Sequence, residues 1–357
     1  MKKCYKIISI SLFLLLFTGM AAKAQYTSKR VRSKFEAYTD SLKNVQYNYV
    51  FPILGQGAYK KGFDIPYPLG VMTNYFWGIQ SIVINNMQLG LTNAHDGIIG
   101  DIPLTNVDQW ISFGENTSVV NSFNVRPDIW VLPFLDIYGV FGYGHSHTVV
   151  NLVKPVELES VVDQNVSTAG FGVLGAAGVG PVWISVDANF TWNKPVLLDK
   201  PTKVNILGLR VGHVFVFKNH PYRNISIWAG AMRLHMSSET VGAIKLKDAL
   251  PQDVWDRKDE IVQNYDNWYA GLSPAQQALV DRTALPKIRD AIDEKDGESI
   301  VHYGMDKQTK QLWNGLVGVQ FQLNKRWQFR SEGGVIGDRK SFLFSVNYRF
   351  LGFRKKP

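Results

Sequence analysis

Two residues in the stretch RLHMSSE have types and spacing that suit nucleophilic chemistry. His235 and Ser237 lie two residues apart, so on an extended strand they share one face. An imidazole beside a serine can take the hydroxyl proton and prepare the oxygen to attack an ester. No partner that would orient the imidazole can be identified, although Glu239 is close in sequence. This is the only candidate catalytic pair, because the serine-protease, P-loop, zinc-protease and dinucleotide-binding motifs are absent.

A pair of histidines has a spacing that metal ligands can use. His145 and His147 in the stretch GHSH share one strand face, but a zinc site needs at least three protein ligands. No third ligand is near in sequence, and the same row continues to the apolar Phe141 and Tyr143. We therefore predict no metal site and no cofactor.

A set of charged residues falls on the polar face of predicted strands, which would be the inner face of a barrel. The set contains Arg126, Arg210, Arg330 and Arg349 with Asp128, Asp136, Asp187 and Glu332. Four charges of each sign argue against a strongly charge-selective pore. Either they pair into a network that fills and stiffens the interior, or they line a polar passage that orients a polar or zwitterionic solute.

The elements that position these residues alternate apolar and polar side chains, the period of a β-strand. In the stretch VWISVDANFTWN, apolar residues from Val182 to Trp192 alternate with polar residues such as Asp187. Twelve strands are predicted at residues 46–57, 67–77, 80–92, 117–130, 134–147, 166–178, 181–193, 203–217, 224–237, 311–323, 326–336 and 340–350.

The connections between these strands differ in length at the two ends. The stretches WGIQ, VLPF, GVGP, KNHPYR and LNKR are short, whereas residues 93–116, 148–165, 194–202 and 238–310 form long connections. An even number of strands places both chain ends on one side. Residues 166–186 carry no charge and could be taken for a membrane helix, but their glycines and Pro181 favour a hairpin that turns at GVGP.

The apolar faces of the strands are predicted to contact lipid. A barrel of twelve strands is too wide to be filled by aliphatic side chains, so its polar rows must face inward. Aromatic residues near predicted strand ends have the placement of an interfacial girdle. They are Trp192, Trp313, Trp327, Tyr348 and Phe350.

The N-terminus predicts export. Three lysines, the apolar run IISISLFLLLF and the stretch AKA at 22–24 form a cleaved signal peptide, residues 1–24. The only cysteine, Cys4, lies within it, which excludes disulfides from the mature chain. Four of the 39 basic residues leave with it, which lowers the formal charge from +9 to +5. Nucleic acid is not a predicted partner, because no basic cluster with interleaved aromatics precedes the terminal RKKP.

These features together resemble the outer-membrane β-barrel proteins of Gram-negative bacteria. The aromatic last strand, FLFSVNYRF, ends at Phe350 and is followed by LGFRKKP, whereas that class usually ends on the aromatic residue. The pair His235 and Ser237 is similar to the His-x-Ser motif of outer-membrane lipid hydrolases. That motif commonly continues with Asn, where this chain has Ser238.

One long connection changes period from strand to helix. In DVWDRKDEIVQNYDNWY, a helical face carries Val254, Ile261, Tyr265 and Trp268, and Gly271 follows as a stop. Ser273 then begins a second helix, with Pro274 at its first position and Gln276 completing a capping box. We expect Pro286 to end or kink that helix. The insert, residues 239–309, is predicted on the extracellular side as a rim element or a gate.

The predicted fold is an all-β, transmembrane, antiparallel up-and-down barrel of about twelve strands with a helical hairpin insert. Residues 25–45 form an N-terminal periplasmic segment, 46–350 the barrel and 351–357 a tail. The predicted function is a pore or transporter for an unidentified polar solute in the outer membrane, with membrane lipid as the surrounding partner. The alternatives are a lipid hydrolase that uses His235 and Ser237, and a non-catalytic structural barrel.

Overall fold

Alternating side chains place one face of each strand outward and one inward, and the strands close into a barrel. The computed structural model describes residues 37–93, 102–198, 200–217, 220–237 and 239–355. The predicted signal peptide, residues 1–24, lies outside these ranges. The strands are β1 Leu69–Thr92, β2 Thr105–Asn106, β3 Ser112–Phe113, β4 Asn116–Leu132, β5 Leu135–Lys154, β6 Leu158–Val179, β7 Val182–Pro195, β8 Thr202–Phe217, β9 His220–Met236, β10 Glu239–Lys245, β11 Ile300–Thr309, β12 Trp313–Gln322, β13 Trp327–Ile336 and β14 Lys340–Phe350.

Ten of these strands form the closed wall. Each of them pairs antiparallel with the next in the order β1, β4, β5, β6, β7, β8, β9, β12, β13, β14. The seam is made by β1 and β14, from Leu69 opposite Phe350 to Ile79 opposite Lys340. Because the last strand pairs with the first, the wall has no open edge, as a hydrocarbon environment requires.

The up-and-down all-β barrel is confirmed, and its wall has ten strands where twelve were predicted. Residues 67–77 and 80–92 form one strand, β1, of 24 residues, because Gly78 is paired on both sides, with Ser341 and Val120. Residues 46–57 are not a strand. Their backbone turns at Leu54, with φ +71°, into the short helix α1, Gly55–Lys60.

The charge-free stretch forms a hairpin, as predicted. β6 and β7 pair up to Val179 opposite Val182, with Gly180 at φ +61° in the turn. In the part of the chain that the structure describes, no helix is long and apolar enough to cross a membrane.

The insert combines helices with two strands. Its helices are α2 Leu246–Ala249, α3 Gln252–Asp256, α4 Lys258–Ala270, α5 Pro274–Val280 and α6 Leu285–Asp293, between β10 and β11. The Ser273 backbone N–H donates to Gln276 Oε1 at 3.0 Å, so the predicted cap is present. Pro286 lies near the start of α6 instead of ending α5, because its fixed φ and missing N–H suit a first helical turn.

The insert crosses the mouth of the barrel. It leaves the wall after β9 and returns at β12, yet α2 contacts β6 and α6 contacts β1. Ser160 Oγ on β6 donates to the carbonyl of Ala249 at 2.8 Å, and β11 pairs with the upper half of β1 from Ile82 to Thr92. Two apolar clusters, one around Val254 and one around Val280, hold the helices against these strands.

The opposite mouth carries the described segment before β1 and the tail after β14. The Ile53 N–H donates to Val131 O near the end of β4 at 2.8 Å, and Lys325 in the β12–β13 turn pairs with Asp64 at 3.2 Å. The C-terminal tail runs alongside this segment, with Tyr49 bridged to Arg354. The tail, whose role the sequence alone does not explain, therefore has a structural partner in the segment before β1.

Candidate functional site

The outside of the barrel is an apolar surface. Side chains that point away from the interior are large, hydrophobic and exposed on every wall strand. They include Tyr75, Phe123, Phe141, Phe171, Ile184, Leu207, Leu209, Val211, Ile227, Val317, Val319, Trp327 and Phe344. An exposed apolar surface of this extent, continuous around a closed wall, is the exterior of a transmembrane β-barrel.

Aromatic side chains lie near both ends of this surface. Toward the chain ends, Trp327 contacts Tyr348 edge-on at 4.7 Å between ring centroids, and Tyr348 contacts Phe350 at 4.9 Å. Toward the insert, Trp192 lies near the end of β7 and Trp313 begins β12. Rings with an apolar body and a polar edge favour the membrane interface, so the two groups mark its boundaries.

The inside of the barrel holds a first group of paired charges, which we call the floor. Its members are Asp187, Arg210, Arg330 and Glu332. Arg210 Nε and Nη2 donate to the two carboxylate oxygens of Glu332 at 2.7 and 3.0 Å, and Nη1 pairs with Asp187. Arg330 Nη2 donates to Glu332 Oε2 at 2.6 Å. Each carboxylate is thereby neutralised in a buried setting, where an unpaired charge would be expensive.

Neighbouring polar side chains extend the floor. Trp228 Nε1 donates to Glu332 Oε2 at 2.9 Å, and the Arg330 guanidinium lies 4.8 Å from the centroid of the Trp228 ring. On the other side, Asn189 donates to Asp187 at 2.9 Å and accepts from Tyr138 Oη at 2.8 Å. The floor therefore links strands on opposite parts of the wall, from β5 to β13.

A second group of charges lies nearer the chain ends. Arg349 Nη2 donates to Asp128 Oδ1 at 2.6 Å and Arg349 Nε to the carbonyl of Tyr67 at 2.8 Å. Asp136 is buried beside this pair, and Arg126 stacks on the Tyr138 ring at 4.0 Å. A cavity of about 80 Å³ separates the two groups. The eight charged residues singled out from the sequence are thus brought into two adjoining groups.

Above the floor, toward the insert, lies a much larger cavity of about 620 Å³. Its lower boundary includes Asp187, Arg210 and Glu332 of the floor. Its upper boundary is made by the insert. The insert residues that line it include Leu246, Ala249, Leu250, Leu285, Ile288 and Ile292. The wall between these limits exposes mostly apolar surface to the cavity, interspersed with hydroxyl and amide side chains such as Ser118, Thr148 and Gln164.

The apolar part of the interior was not predicted, and neither were two cations that line it, Arg339 and Lys307. The signal was present in the sequence, because the inward rows of β8 and β9 carry the apolar Val204, Ile206 and Leu234 as well as the polar Arg210 and Ser226. Lys307 belongs to a stretch read as insert, and Arg339 to a short connection, so neither received an inward or outward assignment.

The structure does not join His235 to Ser237. Both lie at the end of β9 near the insert, and no hydrogen bond connects them. The Ser237 hydroxyl accepts from the backbone N–H of Lys203 at 3.1 Å, and the Ser237 N–H donates to the carbonyl of Lys203 at 2.8 Å. Here the serine extends the contact between β8 and β9.

The two histidines of GHSH do meet an acidic residue across the strand pair. Asp163 Oδ1 on β6 lies 2.8 Å from His147 Nδ1 and 3.2 Å from His145 Nε2. All three side chains are on the outer surface and well exposed. Among the described residues, no group of three histidine, cysteine or acidic residues has the arrangement of a metal site.

No protein-family model and no curated protein matches the sequence. Among solved structures, the chain is similar to the β-domain of the Bordetella autotransporter BrkA, with 12% identity over 79% of this chain and 100% of that one, at a TM-score of 0.29. It is also similar to the translocator domain of the autotransporter NalP from Neisseria meningitidis, with 10% identity, 93% and 98% coverage and a TM-score of 0.31. A third is the COG4313 outer membrane channel from Pseudomonas putida F1, at 9% identity, 80% and 96% coverage and a TM-score of 0.24. These values assign no family, and the conclusions that follow rest on this chain's own residues.

Proposed function

We propose that this protein is an outer-membrane transport barrel that passes a small solute through a gated interior. The apolar exterior and the predicted signal peptide support the location, since closed barrels of this kind cross that membrane. The interior supports the transport role. It is blocked at two levels instead of being filled throughout.

The observation that carries the proposal is the cavity of about 620 Å³ between the floor and the insert. A purely structural barrel would gain stability by packing this space, because interiors approach the density of organic crystals. A volume of several hundred cubic ångströms is typical of a site for a small molecule. Transport then requires two openings, one past the helices and one past the charges.

The two closures are chemically different. The insert closes its mouth with apolar contacts and with the pairing of β11 to β1, whereas the floor closes the passage with ion pairs and hydrogen bonds. A solute that fits both parts carries a polar or charged group together with an apolar portion. This requirement narrows the class of polar solute that the sequence led us to expect.

The proposal is tested by single-channel recording in planar bilayers. One variant replaces residues 239–309 with a short loop. A second replaces Asp187, Arg210, Arg330 and Glu332 with serine together, which removes two charges of each sign and leaves no member unpaired. We expect few or brief openings from the wild type and long-lived openings when both changes are combined.

Folding of each variant is checked by heat-modifiable migration on gels, the behaviour of a stable closed barrel. The Leu279→Ala variant, which alters an exposed side chain of the insert, serves as a control and should record like the wild type. A combined variant that folds and still conducts nothing would contradict transport and favour a structural role.

A further inference from the structure

Arg339 is a buried cation that faces the large cavity. It lies in the short connection between β13 and β14, its exposed fraction is 4%, and it lines the large cavity. Within the described residues, its Nε, Nη1 and Nη2 atoms have no hydrogen-bond acceptor. The neighbouring Asp338 is engaged elsewhere, since its carboxylate accepts from the backbone N–H and the hydroxyl of Ser81 at 2.8 and 2.7 Å.

Lys307 is a second cation that faces the same cavity. It lies on β11 opposite Ile84 of β1, and the described part of the chain offers its ammonium no ion pair or hydrogen bond. Burial alone lowers the pKa of Lys307 to about 8, because desolvation disfavours the charged form. At pH 7 the group is still mostly protonated.

These two residues differ from the floor cations. Arg210 and Arg330 are each paired with a carboxylate, as buried charges normally are. Arg339 and Lys307 are held close to an apolar cavity with no such compensation. An anion bound by both side chains would remove the free-energy cost of holding these charges unpaired.

The rest of the cavity suits a hydrocarbon chain. Apolar side chains from most of the wall strands line it, among them Ile82, Val162, Val204, Ile206, Met232 and Leu234. The wall is continuously hydrogen-bonded, so a bilayer lipid has no lateral entrance and a free molecule would enter through a mouth. A ligand that suits this cavity therefore combines an anionic head group with a single flexible hydrocarbon tail.

We propose that the cavity is a binding site for a free, single-chain anionic amphiphile, with its carboxylate or phosphate on Arg339 and Lys307 and its tail along the apolar wall. The arginine fork presents two parallel N–H donors that match such a head group. The inference rests on the proposed function for the fate of the ligand, since it names the class of solute, but binding can be measured without transport.

The test uses the full-length mature protein in phosphatidylcholine nanodiscs and equilibrium dialysis with radiolabelled decanoate, after subtraction of empty nanodiscs. We expect saturable binding at one site. Arg339→Gln and Lys307→Gln should each weaken it by about ten-fold or more, the usual effect of losing a charged hydrogen-bonding partner. The control Lys310→Gln, which neutralises an exposed lysine near Lys307, should leave the affinity unchanged.

Three further measurements distinguish the contribution of the anionic head group to binding from that of the hydrocarbon tail. Decanol should bind wild type and both variants alike, which also shows that the variants keep the cavity. Octanoate should bind more weakly than decanoate by about four-fold per methylene removed, as expected for burial of apolar surface. Raising the pH above about 8 should weaken decanoate binding in the wild type and not in Lys307→Gln, because Lys307 loses its proton.

Decanoate retention no greater than that of empty nanodiscs would overturn the proposal, and so would an affinity that neither substitution changes. The outcome is distinguishable from that of the transport test. Saturable binding without conduction in the combined variant would keep this site and remove the transport role. Conduction without decanoate binding would keep the transport role and remove this site.

Discussion

At the scale of single residues, the interior depends on charges that are paired where they are buried. Arg210 is 7% exposed and holds two carboxylates on different strands, Asp187 on β7 and Glu332 on β13. Removing one member of a buried group leaves its partners without compensation, which costs more than the intact group contributes.

We therefore predict that Arg210→Ala lowers the free energy of unfolding by about 3–5 kcal/mol, measured by urea unfolding in lipid vesicles. Arg257→Ala is the matched control, because Arg257 forms an exposed pair with Asp253 at 3.5 Å and such pairs contribute about 0–1 kcal/mol. Equal effects of the two substitutions would show that the floor charges are as well hydrated as surface ones.

The period of two in the sequence was enough to place the eight charged residues on one face of their strands. It was not enough to say which of them pair, because pairing depends on the stagger between strands that are distant in sequence. Arg210 and Glu332 are separated by 122 residues. Arg339 could not be assigned at all, since a residue in a connection has no strand face to follow.

At the scale of elements, the insert is tied at its base by a charged clamp. The Glu298 carboxylate precedes β11 and pairs with Lys245 at the end of β10, at 2.7 Å, and with Lys247 of α2. These lysines hold the pKa of Glu298 at about 2, below its usual range. The clamp is exposed, so salt should weaken it.

The lowered pKa gives the clamp a defined pH dependence. A carboxyl group whose folded-state pKa is lowered stabilises the fold above its unfolded pKa and loses that contribution as the pH falls through the folded one. We predict that hydrogen exchange at residues 245–247 and 298–300 becomes faster relative to the barrel as the pH falls from about 4.5 to about 2.

In Glu298→Gln, this pH-dependent part of the exchange should be absent, with exchange already fast at pH 5. Glu294→Gln is the control, since Glu294 ends α6 without joining the clamp. An unchanged pH profile in Glu298→Gln would mean that another group controls the base of the insert.

Local sequence signals predicted the elements well where the cause was local. The capping box at Ser273 and Gln276 depends on residues three apart, and it is present. The length of β1 depends on partners far away in sequence, which hold Gly78 extended on both sides. The stretch 46–57 alternates like a strand, but among the described residues it makes only isolated backbone contacts with the tail and with β4, so it turns into α1 instead.

At the scale of the whole molecule, the segment before β1 and the tail after β14 meet at the mouth opposite the insert. The Val50 N–H donates to Phe353 O at 2.9 Å, and the Lys355 N–H donates to Asn48 O at 2.9 Å. These bonds hold the segment before β1 against the turns at that mouth. The wall itself has its own complete set of hydrogen bonds and does not need them.

We predict that deletion of residues 351–357 leaves heat-modifiable migration intact and makes residues 44–62 more sensitive to protease, as mapped by mass spectrometry. Deletion of residues 356–357 alone retains the bonds described above and should leave protease sensitivity unchanged. Loss of heat-modifiable migration in the longer deletion would show that the tail takes part in barrel closure.

One strand belongs to both the barrel wall and the sheet of the insert. β1 is a wall strand over its first half and the docking edge of β11 over its second, and its register slips between Asn85 and Gln88, where Asn86 has φ +51°. Asparagine accepts this left-handed conformation more readily than most residues. A bulge bends its strand and increases the local twist, so this irregularity turns the β11-paired part of β1 out of the plane of the wall, while the pairing of β1 with β14 below it stays regular.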